Sequence, residues 1–231
     1  MSFKFKEFSI IDNNTPMKVG VDAVLLGSWI DVPDNISILD VGSGSGIIAL
    51  MLAQRYSKSS ITALEINESS YKDLKENINN TPWQNRIKVL NVDFNNWPCD
   101  KKYDLIISNP PFFEVANNMN DGRRVARQSA SLSPSQLCNI SKGLLNPNSS
   151  LVVIFPFLQR GEFIKAAFQN GFYIFQELKI KDNAASEFKR SILFFKNVKM
   201  LPFEQKELIL KNEDGSFSKD FMKLTKHFYL S

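Results

Sequence analysis

Four motifs along this 231-residue chain carry groups able to do chemistry, and each follows a short apolar run. The first is D-V-G-S-G-S-G at residues 40–46. Glycines at 42, 44 and 46 remove the side chains that would keep a nucleotide-like ligand off the backbone. Their G-x-G-x-G spacing departs from the dinucleotide fingerprint G-x-G-x-x-G, and the carboxylate of Asp40 repels a pyrophosphate. It can instead accept a hydrogen bond from an ammonium group, which points to an amino-acid-bearing nucleoside. The second is Glu65 in A-L-E-I-N, placed to take both ribose hydroxyls or, alternatively, to sit at the positive end of the next helix. The third is Asp93-Phe94 in V-L-N-V-D-F, a carboxylate for an adenine amino group beside a ring for its face.

The fourth motif is Asn109-Pro110-Pro111-Phe112, directly after Y-D-L-I-I-S. Two prolines force an extended, rigid exit from a strand and leave nearby carbonyls without amide partners. The Asn109 side-chain oxygen and the Pro110 carbonyl can both accept from one exocyclic amino group. Phe112 offers a stacking surface for a planar substrate. Arg123, Arg124 and Arg127 follow in a polar stretch without period, placed to contact phosphates or, on the other reading, forming a solvated charge cluster.

In this order the motifs resemble class I S-adenosylmethionine-dependent methyltransferases. N-P-P-F is similar to the [DNS]-P-P-[YFW] quartet of enzymes that methylate planar amino groups. F-K-F-K-E-F, M-K-V-G-V-D-A-V-L-L-G-S-W, N-I-N-N-T-P-W-Q-N-R-I and F-M-K-L-T-K-H-F-Y-L resemble bacterial tRNA1(Val) (adenine-37-N6)-methyltransferases, a likeness running from Phe3 to Leu230. Phe112 stands where that family more often has tyrosine, and both rings stack.

The resemblance implies S-adenosylmethionine as cofactor, with Asp40, Gly42, Gly44 and Gly46 around its methionine part. Glu65 would take the ribose, and Asp93 and Phe94 the adenine. Asn109, Pro110, Pro111 and Phe112 would hold the target adenine. Lys18, with Gly20 and Asp22, matches a family segment beside the cofactor, although a capped amphipathic helix is an equal reading. The implied reaction is methyl transfer to N6 of adenine 37 in the anticodon loop of a valine tRNA, after that base leaves its stack. Other planar amino groups remain as alternatives: guanine N2 of ribosomal RNA, or a protein glutamine amide. A non-catalytic RNA-binding module is the alternative from a different class.

The elements that must position these residues read as α/β. Strands are expected at 36–41, 60–66, 86–92, 103–108 and 151–157, with helices at 47–55, through Tyr71, Leu74 and Ile78, near 134–145, and at 162–170. Ser133 reads as an N-cap with Pro134 at the first helical position, and Gly171 ends the 162–170 helix. Segments 172–180 and 190–198 have no helical pattern between them and should pair antiparallel. The expectation is a Rossmann-like sheet of about seven strands, mostly parallel with an antiparallel last strand, in a single domain over 1–231. An N-terminal extension occupies 1–35, a substrate loop 113–132 and a C-terminal extension 199–231, with a strand at 207–211 and a helix at 217–228.

Composition agrees with a folded protein: 43% hydrophobic and 23% charged residues. Cys99 and Cys138 match no metal-ligand spacing, and one histidine, His227, excludes a multi-histidine site, so no metal is expected. No apolar run reaches a membrane span and the first residues lack a signal peptide's apolar block, which favours the cytoplasm. Residues 1–111 hold 11 Lys+Arg against 13 Asp+Glu, whereas 112–231 hold 17 against 11. Such an asymmetry suits a chain that binds a small cofactor first and a polyanion second, and ordinary scatter is an equal reading. A monomer is favoured.

Overall fold

Ile38 and Leu39 are neighbours in sequence and lie in different cores, because successive side chains of a strand point to opposite faces. The same split repeats across the central sheet and gives it two buried faces. The computed structural model describes residues 2–15, 18–110, 132–200 and 202–230. A small hairpin, β1 (Ser2–Lys4) and β2 (Ser9–Ile11), precedes α1 (Val21–Trp29). Then come β3 (Ser37–Val41), α2 (Ile47–Arg55), β4 (Ser60–Glu65), α3 (Glu68–Asn79), β5 (Ile87–Asn91) and β6 (Tyr103–Ser108). The second half runs α4 (Pro134–Leu144), β7 (Leu145–Pro156), α5 (Arg160–Gln169), β8 (Tyr173–Lys181) and β9 (Phe188–Lys196). It closes with β10 (Glu204–Ile209) and α6 (Lys219–Thr225).

Among the described residues the sheet has eight strands in the order β10-β8-β9-β7-β6-β3-β4-β5. All neighbours are parallel except β9, which is antiparallel to both β7 and β8. The strands expected at 172–180 and 190–198 pair antiparallel as β8 and β9, and the edge strand β10 brings the expected seven to eight. β10, expected at 207–211, forms at 204–209 and pairs parallel with β8 at the edge. From β3 the chain steps through β4 and β5 to one side, then returns to β6 and β7 on the other. β3 and β6 are therefore adjacent across a reversal in strand order, where open α/β sheets form a crevice at their C-terminal ends. Asp40 and Asn109 both belong to that edge.

Residues 23–28 of α1 are all buried, so this helix is not the amphipathic one that was the other reading of Lys18, Gly20 and Asp22. It lies inside the layer with α2, and the two helices approach closely at Gly27. A Cβ there would sit 2.8 Å from the Met51 Sδ. Ser133 and Gln136 form the expected cap of α4: the Ser133 side chain accepts from the Gln136 N–H, and the Gln136 side chain accepts from the Ser133 N–H. Gly171, at φ +79°, follows α5 as expected. Among the described residues no helix is long and apolar enough to cross a membrane.

Candidate active site

β3 delivers Asp40 to the crevice with its side chain fully buried. Neither carboxylate oxygen has a hydrogen-bond partner among the described residues. Burial pushes its carboxyl up to about 7, and the nearby Glu65 charge adds to the rise, while the Ser43 hydroxyl donates to the Asp40 backbone carbonyl instead. A buried carboxylate with no partner is costly, so the site is set up for a donor that arrives with a ligand.

The turn after Asp40 is held from β4. The Leu64 carbonyl accepts from the N–H groups of Gly42 (3.0 Å) and Ser43 (2.9 Å). Gly42, Gly44 and Gly46 all have positive φ. Gly46 is the most constrained, because a Cβ there would come within 2.6 Å of Leu74 Cδ1 on α3. Glu65 accepts from the backbone N–H of Gly44 at 2.8 Å and of Asn67 at 2.7 Å. Its carboxylate is thus a brace for the glycine turn, a task the sequence did not reveal. Each oxygen keeps a lone pair for a further donor.

Asp93 accepts from the Asn95 N–H and from the side-chain amides of Asn95 and Asn96, capping the short turn Phe94–Asn96. Phe94 is buried in the second core, yet it lines a cleft with Val41, Gly42, Leu64, Asp93 and Pro110. Ile66 lines the same cleft and is 57% exposed. An exposed apolar side chain directly after Glu65 suits the face of a nucleobase, and its place one residue past the strand's acid was the signal available in the sequence.

On β6, the Ser108 hydroxyl donates to the Val41 carbonyl at 2.8 Å and locks the two central strands at the crevice. Asn109 follows, its Oδ1 buried and without a partner among the described residues. Pro110 is buried and lines the cleft. Pro111 and Phe112 lie outside the described residues, as do Arg123, Arg124 and Arg127.

The N-terminal segment reaches the same turn. Thr15 Cγ2 lies 4.0 Å from where a Cβ on Gly44 would be. Asp73 of α3 holds that segment by accepting from Asn14 N–H, Asn14 Nδ2, Thr15 N–H and the Thr15 hydroxyl, all within 2.7–2.8 Å. Lys18 turns to Asp12, whose backbone carbonyl takes its ammonium, and Lys18 is not among the residues lining the cleft. Gly20 precedes α1 without a side-chain cap, and Asp22 pairs with Arg190 of β9. Among the described residues no cluster of His, Cys, Asp and Glu could hold a metal.

The sequence profile of the methyltransferase small domain matches residues 17–176. The chain belongs to that family. Proteins named tRNA1(Val) (adenine(37)-N6)-methyltransferase are similar to it nearly end to end. The Flavobacterium psychrophilum protein is 40% identical, covering 99% of both chains. That of Trichodesmium erythraeum is 39% identical over 99% of this chain and 97% of its own. The chain therefore belongs with this group of methyltransferases. Among solved structures, a predicted O-methyltransferase from Agrobacterium tumefaciens superposes with a TM-score of 0.72 at 19% identity, covering 89% of this chain and 96% of that one. TrmN from Thermus thermophilus gives 0.55 at 20% identity, covering 76% and 48%. These likenesses show the fold, that of class I methyltransferases.

Proposed function

We propose that this protein transfers a methyl group from S-adenosylmethionine to N6 of adenine 37 in tRNA1(Val). The observation that carries the reading is Asn109: an amide oxygen buried without a partner among the described residues, beside Pro110, at the crevice between β3 and β6. The near full-length likeness to proteins named for this reaction supports the choice of substrate.

Asp40 has the burial and the spare acceptor capacity to meet the cofactor's ammonium group, and Glu65 the remaining lone pairs for its ribose. Leu64, Ile66 and Phe94 supply apolar surface for its base. The cofactor supplies a methyl group on a sulfonium, already activated for transfer. Adenine's amino nitrogen is a poor nucleophile because its lone pair is delocalised into the ring. Asn109 Oδ1 and the Pro110 carbonyl, accepting from its two N–H bonds, favour a more tetrahedral nitrogen and aim its lone pair. As the N–CH3 bond forms, the S–CH3 bond electrons would stay on sulfur as a neutral thioether, and the methylated nitrogen, now acidic, would lose its proton to solvent. Positioning accounts for much of the remaining acceleration. Phe112 would stack on the flipped base, and Arg123, Arg124 and Arg127 would contact phosphates around it. On this reading the protein is a cytoplasmic monomer with tRNA and S-adenosylmethionine as its partners, and it needs neither metal nor membrane.

Mass spectrometry of nucleosides from unmodified tRNA incubated with protein and S-adenosylmethionine tests it. N6-methyladenosine should appear in valine tRNA with the intact protein and far more slowly with Asn109→Ala. Methylation of ribosomal RNA or of a protein glutamine instead would move the substrate and keep the fold.

A further inference from the structure

Between the N-terminal hairpin and α6 a groove of about 720 Å³ opens on the surface, away from the crevice. Its walls are aromatic and aliphatic: Phe3, Phe217, Met222 and Leu230 are 40–57% exposed, where a stable surface would normally bury them. Phe3 lies 6.0 Å from Tyr229, and Phe217 lies 4.7 Å from the buried Phe221, so the exposed rings are supported from behind. Lys4, Lys6 and Lys226 complete the lining, and none of its ten residues is acidic.

We propose that this groove binds an unpaired stretch of the tRNA substrate, with bases stacked on Phe3, Phe217 and Tyr229 and phosphates on the lysines. The proposal rests on the reading of the chain as a tRNA-modifying enzyme. Aromatic rings interleaved with cations form the general platform for single-stranded nucleic acid, since every base has a stacking face and every nucleotide a charge. Protein interfaces are by contrast depleted in lysine at their centres. The groove also opens in the right direction. Phe217 is bridged to Lys211, and the preceding Leu210 donates its N–H to the Lys181 carbonyl at the end of β8. One end of the groove therefore lies at the same C-terminal edge of the sheet as Asn109.

The test measures binding of an unmodified valine tRNA transcript by fluorescence anisotropy. Full-length protein is compared with Phe3→Ala/Phe217→Ala and with Lys4→Glu/Lys226→Glu, using Lys165→Glu on the opposite helical layer as control. Loss of two stacking platforms should raise the Kd at least about tenfold. The lysine reversals should weaken binding and flatten its salt dependence. Cofactor affinity should stay within about twofold in all variants, showing that they fold. If both double variants bind tRNA as the intact protein does, the proposal is wrong. It is also wrong if sedimentation shows a dimer that these substitutions disrupt, because a second copy then occupies the groove. Intact protein that binds tRNA through the groove yet methylates none of it would overturn the catalytic reading alone. Methylation that proceeds with unchanged tRNA Kd and KM in the variants would overturn the groove alone.

Discussion

Asn77 on α3 and Ser45 in the glycine-rich turn are joined by a hydrogen bond of 2.9 Å, from the Asn77 amide to the Ser45 carbonyl. The same Asn77 donates to the Ile11 carbonyl at 2.7 Å and accepts from the Ile11 N–H at 2.8 Å. One buried amide therefore ties the N-terminal strand β2, helix α3 and the glycine-rich turn into a unit. Asp73, one helical turn earlier, holds Asn14 and Thr15 against that turn.

Asn77→Ala should accordingly do more than loosen a surface strap. It leaves buried backbone groups of Ile11 and Ser45 unpaired, at a cost of about 2–3 kcal/mol in a denaturant titration. Because the glycine turn loses its tether, the KM for cofactor should rise by more than the kcat falls. A variant that loses stability with no change in cofactor KM would limit Asn77 to a role in folding.

Asp40 makes the ligand-free protein sensitive to pH in an unusual direction. Its folded-state pKa of about 7 stands above the ordinary 3.8, so the native protein keeps a proton that the unfolded chain has lost. Native stability should therefore fall as pH rises from about 4 to 7 through this group. Asp40→Asn should remove that dependence and be the more stable form at about pH 8. Cofactor binding near pH 6.5 should release a proton from the intact protein and none from Asp40→Asn, read by calorimetry in two buffers of different ionisation heat. Equal proton release from both would dismiss the pairing with an ammonium group.

Asn109→Ala should lower methyl transfer about 10²- to 10³-fold, the range found when one preorganised hydrogen-bonding group is removed from a reacting centre. Cofactor affinity should be unchanged, since Asn109 faces the substrate in this reading. Single-turnover kinetics with bound cofactor separate the two. A normal transfer rate would remove Asn109 from the reacting group.

Gly46→Ala combines two penalties. The new Cβ meets Leu74 Cδ1 at 2.6 Å, and φ at this position is +91°. A loss of about 2–4 kcal/mol is expected from overpacking and left-handed strain together. In a Leu74→Ala background, where the clash is gone and the strain is not, Gly46→Ala should cost less than in the intact protein but still lower the melting temperature.

Charge reversal at Arg123 and Arg124 should weaken tRNA binding at low salt. It should also reduce the slope of log affinity against log salt by about 1 for each phosphate no longer neutralised. An unchanged affinity would make these arginines a solvated cluster.

The alternation of short apolar runs and helical stretches was enough to place β3 to β7, and the acids and prolines at strand ends marked the crevice. Those features are local, set by residues adjacent in sequence. Asp73 and Asn77 escaped notice because polar residues on a helix look like a solvated face until a distant segment covers them. Their spacing of four, beside Leu74 and Ile78, was the available sign that they share the buried side. Glu65 was read for its ligand, whereas its brace to Gly44 depends on a turn geometry that no spacing encodes. The burial of α1 was missed for a similar reason: besides α2, it is covered by α6, which comes nearly two hundred residues later.

The antiparallel β9 lies between β7 and β8, although it is made after both. As the chain leaves the ribosome, β7 is complete at Pro156 while Phe188, the start of β9, is still some thirty residues away. At about 5–20 residues per second the outer edge of β7 waits roughly 2–6 s for its permanent neighbour. During that interval it presents a row of bare amides and carbonyls on an apolar strand, a template for any other nascent strand nearby. Slow translation between these two strands would lengthen the exposure, and synthesis arrested before Phe188 would make it permanent.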